Sequence, residues 1–172
     1  MKNAGFRINK TINATGQQEW EVNDPAFHGN CNNPLMLLTQ QGNTSYPNNP
    51  EWNVYNFGKN KTVRMILNNI SQFETHLSHP MHLHGHDFFV VSEGVGRWDG
   101  ASYVRPDNPK RRDTVMLPRG GYVMIDVVMD NPGVWPLHCH IAWYVYTVLF
   151  SGLPRTKAVS ARSEKADENT GM

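Results

Sequence analysis

Two short segments concentrate the residues able to do chemistry. They are His79-Pro80-Met81-His82-Leu83-His84-Gly85-His86 and His138-Cys139-His140. Together they hold six of the chain's eight histidines and one of its two cysteines. Neutral imidazole nitrogen and thiolate sulfur are the donors that copper and zinc prefer. In a strand, residues two apart face the same side. His82 and His84 then aim at one site, and so do His138 and His140, while Cys139 points to the opposite face. A ribbon built this way can hold metal on both sides, with covalent structure running between the two. A zinc finger needs paired cysteines at short spacing, and only Cys139 is near. A cysteine flanked by histidines, with a distant histidine available, suits a His2Cys blue-copper site instead. His86 completes an alternation with His82 and His84 and reads as a ligand or as a donor behind one. His28 and His76 stand alone and read as ordinary residues.

The elements that must position these groups are short. Thr62-Val63-Arg64-Met65-Ile66-Leu67 reads as a strand, with Asn68-Asn69 as a turn after it. Trp52-Asn53-Val54-Tyr55-Asn56-Phe57 alternates with period two and reads as another. Asp87-Phe88-Phe89-Val90-Val91 continues directly from the first histidine cluster, and a long loop follows from Gly94 to Arg112. The segments 113–117 and 122–128 flank the turn Pro118-Arg119-Gly120-Gly121 and are predicted to form a hairpin. Asp130-Asn131-Pro132-Gly133 is a turn signal, from which Val134-Trp135-Pro136-Leu137 feeds the second cluster. Residues 1–50, rich in Asn, Gly, Pro and Thr, read as loops with short strands around runs such as Leu35-Met36-Leu37-Leu38. Helical periodicity is confined to Ile141–Phe150. Many short strands with regular turns predict an antiparallel β-sandwich. The polar, charged end from about residue 155 onward reads as a disordered tail.

The chain has 172 residues and a net charge of +1. This length suits one domain with a real core, and the charge favours neither nucleic acid nor an anionic surface. The apolar runs fall short of the roughly 20 residues a membrane helix needs. No signal peptide follows Met1. Five N-glycosylation acceptors nevertheless stand at Asn9, Asn13, Asn43, Asn60 and Asn69. They fit either chance, in an Asn-rich chain, or a secreted glycoprotein whose leader lies upstream. Cys31 and Cys139 do not make a disulfide framework.

Several motifs then carry a family resemblance. His79 to Phe88, Arg112-Asp113-Thr114, Asp130 to Trp135, and His138-Cys139-His140-Ile141-Ala142-Trp143 occur in that order. From roughly residue 5 to Trp143 the chain resembles the C-terminal, third cupredoxin domain of the multicopper oxidases, most closely the fungal laccases. The resemblance implies an all-β, cupredoxin-like Greek-key β-sandwich over residues 1–150, with 151–172 as a disordered or aberrant tail. It implies copper as cofactor. His79 and Cys139 would serve type 1 copper, His82 type 2, and His84, His138 and His140 type 3. It further implies one-electron oxidation of a phenol, with Cys139, His138 and His140 as the electron path to a site where dioxygen becomes water. The intact protein would be extracellular. Its N-terminal cupredoxin domains, supplying the other half of the trinuclear ligand set, would be partners of this chain.

One departure from the family pattern stands beside Trp143. The family continues with a histidine, the second imidazole of the type 1 site, where this chain has Tyr144. A phenol with a pKa near 10 is a poor substitute for a neutral imidazole. Leu149 falls where a laccase has its non-coordinating axial residue. The chain also has no H-W-H or H-S-H motif. The expectation is a fragment, inactive by itself. The alternatives are a non-catalytic copper-binding module and the inert product of a truncated gene model. In the last case the residues after Trp143 would be an intron, or an out-of-frame exon, read as protein, since the codons for Trp-Tyr-Val can contain the splice donor GTATGT. A continuous coding frame across that point in the messenger would sink the intron reading.

Overall fold

The computed structural model describes residues 1–141 apart from 25, 31, 44–45, 47–48, 72–76 and 102–106, together with the backbone of 151–152. Cys31, His76, Tyr144, Leu149, the helical periodicity predicted up to Phe150 and the tail beyond 152 lie outside the described residues.

Among the described residues, ten strands form two packed sheets. In chain order they are β1 (Lys2–Ile12), β2 (Gln18–Val22), β3 (Thr62–Asn69), β4 (His79–Leu83), β5 (Phe88–Val95), β6 (Lys110–Arg112), β7 (Thr114–Leu117), β8 (Gly121–Val128), β9 (Pro136–Cys139) and β10 (Ser151–Gly152). The larger sheet runs β2-β1-β3-β8-β5-β6 and the smaller β10-β9-β4-β7. Alternation builds the core between them. Val63, Met65 and Leu67 of β3 and Val123, Ile125 and Val127 of β8 meet Met81, Leu83, Val115, Leu117, Leu137 and Cys139 of the smaller sheet. Each strand shows its other face outward, as period-two packing requires.

The sandwich expected from sequence is the fold observed, with five local differences. It is not wholly antiparallel, because β1 runs parallel to β3, with Lys2 opposite Val63 and Ile8 opposite Asn69. Trp52–Phe57 is not a strand. A 3₁₀ turn covers Pro50–Trp52, and Asn53 adopts left-handed backbone at φ 49°, which breaks any extended run. The segments around Pro118–Gly121 make the expected turn, closed by Gly121 N–H donating to the Pro118 carbonyl at 3.2 Å. They do not pair as a hairpin, however: β7 joins the smaller sheet and β8 the larger. The turn therefore crosses between the layers. Leu35–Gln40 is a short helix, α1, of which only Leu38 is buried. At the chain's end, β10 lies just past the boundary expected at residue 150 and pairs Ser151 with Leu137.

Candidate metal centre

Both histidine segments sit in the smaller sheet, on adjacent strands. The β4–β9 register places Met81 opposite Cys139 and His82 opposite His138. Past the ladder, His84 N–H donates to the Pro136 carbonyl at 2.9 Å and His140 N–H to the Pro80 carbonyl at 2.7 Å. Alternation then sorts the donors. His79, Met81, Leu83 and Cys139 are buried on the inner face, whereas His82 and His138 are half-buried and His84 and His140 exposed on the outer one.

On the inner face Cys139 Sγ lies 3.5 Å from His79 Nδ1. A sulfur and a nitrogen bound to one tetrahedral ion, at lengths of about 2.3 and about 2.0 Å, stand about 3.5 Å apart. The pair therefore fits a common metal. His79 is 1% exposed and packs edge-on to Trp20, ring centroids 4.5 Å apart. Burial lowers its pKa to about 4, so the ring is a neutral donor at neutral pH. Burial pushes the Cys139 thiol up, opposed by a hydrogen bond from the backbone of Ile141. A bound metal would reverse that preference by holding the thiolate.

On the outer face the nitrogens of His82, His84 and His138 lie within 4.8 Å of one another. Two of these rings have fixed tautomers. His82 Nδ1 is 3.0 Å from the Asp113 carbonyl and 3.1 Å from Thr114 Oγ1. His138 Nδ1 is 2.9 Å from the Cys139 carbonyl. A carbonyl only accepts, so both Nδ1 atoms carry the proton and both rings offer the Nε2 lone pair. His84 Nε2 faces His138 Nε2 at 2.8 Å. Burial, then the neighbouring imidazoles His82 and His140, lowers the pKa of His84. Burial also lowers that of His138, against the Cys139 carbonyl bond. His140 stacks on His138 and stands edge-on to His82, with centroids 5.7 Å from each. The donor set is thus all imidazole, a ligand type that suits copper.

His86 does not join this group. It is buried against Trp135, its ring edge-on at 5.9 Å, with Nδ1 3.4 Å from the His84 carbonyl. His28 is exposed, and its backbone N–H donates to the Glu51 carbonyl at 2.9 Å. Sequence reasoning assigns no role to Trp20, Thr114 or the Asp113 carbonyl. Their approach depends on strand register, which local spacing does not encode. The turn between His84 and His86 depends on Gly85, whose φ is +68° and whose missing Cβ would stand 2.4 Å from the Trp135 ring. Asn131 closes this corner, accepting from Trp135 Nε1 through its carbonyl and donating its amide to the Gly85 carbonyl.

Known proteins share this fold. The chain is similar to the crystal structure of a laccase from Botrytis aclada, with a TM-score of 0.76 and 29% identity over 88% of this chain and 28% of that one. Fet3p, described as a multicopper oxidase that functions in iron import, gives a TM-score of 0.71 and 26% identity over 90% of this chain and 31% of that one. Fold and site thus define a cupredoxin-like sandwich of the copper oxidases. The family model for multicopper oxidases matches residues 11–153, and the chain belongs to that family. Among curated relatives, Oxidoreductase OpS5 of Beauveria bassiana is 41% identical over 73% of this chain and 21% of its own length. Laccase-3 of Botryotinia fuckeliana is 34% identical over 80% of this chain and 32% of its own length. The chain thus spans between 21% and 32% of the length of these two relatives.

Proposed function

We propose that this chain is the copper-binding C-terminal domain of a laccase-type oxidase, over residues 1–150, that couples one-electron oxidation of phenols to reduction of dioxygen to water. His79 and Cys139 would hold type 1 copper. His82 would hold type 2 copper, and His84, His138 and His140 type 3, together with histidines of N-terminal cupredoxin domains. Copper in these positions supplies single-electron redox chemistry on one face and dioxygen binding on the other.

The observation that carries the reading is the division of donors across one strand. Cys139 is buried inward beside His79, and its two chain neighbours stand outward among the other imidazoles. The covalent link from sulfur to either neighbouring ring is a single residue step. The Cys139 carbonyl adds a second connection, because it accepts from His138 Nδ1. Cys139, His138 and His140 are therefore the electron path in this reading, and the protein's part is to hold it rigid. Phenol and dioxygen are the substrates of the assembled enzyme, which in this reading works outside the cell. Among the described residues no helix is long and apolar enough to cross a membrane.

The outer face presents four imidazoles, of which His82, His84 and His138 cluster, too few to organise three coppers, so the isolated chain is expected to bind copper weakly and to oxidise no phenol. Titrating the purified chain with copper, read by metal analysis and by the spectrum of paramagnetic copper, tests this. Binding should fall at least tenfold in His84→Ala and His138→Ala. Equal binding in wild type and variants would remove the outer-face assignment. Phenol oxidation by the chain alone would remove the need for partner domains. A second reading is a copper-binding module without oxidase activity, which would need a complete type 1 site despite Tyr144. An intense blue band from the chain alone would favour it.

A further inference from the structure

We infer that Asn13 and Asn60 are sites of N-linked glycan attachment, and that Asn69, which carries the same acceptor motif, is a structural amide closed to modification. The inference rests on the proposed secretion of the intact protein and sorts its acceptors by amide geometry.

In N-glycosylation the Asn Nδ2 forms a bond to the anomeric carbon of a lipid-diphosphate-linked oligosaccharide. The bond from that carbon to the diphosphate oxygen breaks, the lipid diphosphate leaves with the electron pair, and one Nδ2 proton is lost. The product keeps a single Nδ2–H. An asparagine can carry a glycan in the folded protein only if one of its two amide hydrogens is dispensable and space lies beside it.

Asn13 meets both conditions. It follows β1 at the start of the tight turn into β2, and residues 14–17 of that turn are exposed. Its Oδ1 accepts from the backbone of Thr15 and Gln17 and from the Thr15 hydroxyl. Among the described residues its Nδ2 makes one hydrogen bond, to Glu19 Oε1 at 2.6 Å. The turn fixes the carbonyl side and leaves one N–H to spare. Asn60 is similar. It lies half-buried in the turn before β3, between exposed Lys59 and Lys61. Its Nδ2 donates once, to the Phe57 carbonyl at 2.6 Å.

Asn69 meets neither. It is 4% exposed at the end of β3, and Ser71 of its motif is 6% exposed. Its Nδ2 spends both hydrogens, on the Leu77 carbonyl at 3.1 Å and the Pro118 carbonyl at 3.3 Å. The amide thereby ties β3 to the approach to β4 and to the turn that carries the chain from β7 to β8. A sugar there would replace one of these bonds and require a cavity where packed chain stands. Because transfer occurs on the nascent chain, a molecule modified at Asn69 is expected to fail in folding.

The test is expression of the full chain behind a secretion leader in a yeast host, with glycopeptide mapping of the soluble secreted fraction. The leader is supplied, so the outcome reports acceptor geometry whatever the native destination. A failed proposal of secretion would leave this result intact. Asn13 and Asn60 should be occupied and Asn69 bare. A gel assay on total chain, before and after endoglycosidase, needs no folding: Asn13→Gln and Asn60→Gln should each lose one glycan step. Failure of either variant to lose its step overturns that assignment. A glycan on Asn69 in soluble, protease-resistant chain overturns the structural role.

Discussion

At the scale of single residues, the candidate metal centre depends on residues outside the candidate ligand set. Gly85 allows the chain to turn between two histidines while the Trp135 ring closes over it. The positive φ costs an ordinary residue roughly 1–2 kcal/mol, and a Cβ meeting a packed ring adds about 1–3 kcal/mol. Trp135 is pinned through its ring nitrogen to the Asn131 carbonyl at 3.0 Å and cannot swing away cheaply. Gly85→Ala should therefore lower stability by about 2 kcal/mol or more in a urea melt and weaken copper binding with it, because His84 would move. A variant as stable as the parent would show that the corner relaxes. The faces taken by the candidate donors are legible in sequence, since two-residue spacing fixes which side of a strand each takes. Their supports are not. Trp20 reaches His79 from β2, and Thr114 reaches His82 from β7, each brought there by long-range pairing.

At the scale of elements, alternation tells which residues of a strand face inward but not which sheet the strand joins. Both β7 and β8 alternate, and a turn signal lies between them, so a hairpin is the natural expectation. Their assignment to different layers follows from what each can bury: Val115 and Leu117 complete the inner face beside Met81, while β8 is flanked on both edges, by β3 and β5. Trp52–Phe57 departs from its expected strand for a different reason, a single left-handed asparagine that no period reveals. The β3–β8 pair also carries an ion pair. Arg64 and Asp126 stand directly opposite in the register, joined by two 2.7 Å bonds in a forked geometry. The hydrogen bond to Asp126 raises the Arg64 pKa, holding the charge in place. Both side chains are mostly shielded, at 24% and 14% exposed. Removing one partner leaves the other charge poorly solvated. Asp126→Asn should cost about 1–3 kcal/mol, and Arg64→Met about as much. The double variant Arg64→Met/Asp126→Leu should cost clearly less than the sum of its singles, as coupling requires. Additive losses in denaturant melts would mean that solvent already screens the pair.

At the scale of the molecule, the two sheets are unequal, and the candidate site lies in the weaker one. The larger sheet has strands of 11 and 8 residues at its centre. The smaller is made of strands of 5, 4, 4 and 2 residues. Amide exchange should follow that inequality, slowest in β3 and β8 and faster in β4 and β9, because a short strand opens by breaking fewer hydrogen bonds and uncovering less apolar surface. Copper bound by His82, His84 and His138 would bridge β4 and β9, so any opening that parts those strands must first release it. A ligand held only by the closed form slows such openings by the factor 1 + [L]/Kd. Adding copper should thus slow exchange in β4 and β9. The slowest amides of β3 and β8, which exchange only when the whole domain unfolds, should slow by a similar factor. The turn between β1 and β2 opens without touching either strand, so its amides should be unchanged. If instead the β1–β2 turn slows while β4 and β9 do not, copper is bound elsewhere, and the outward imidazoles are not its ligands.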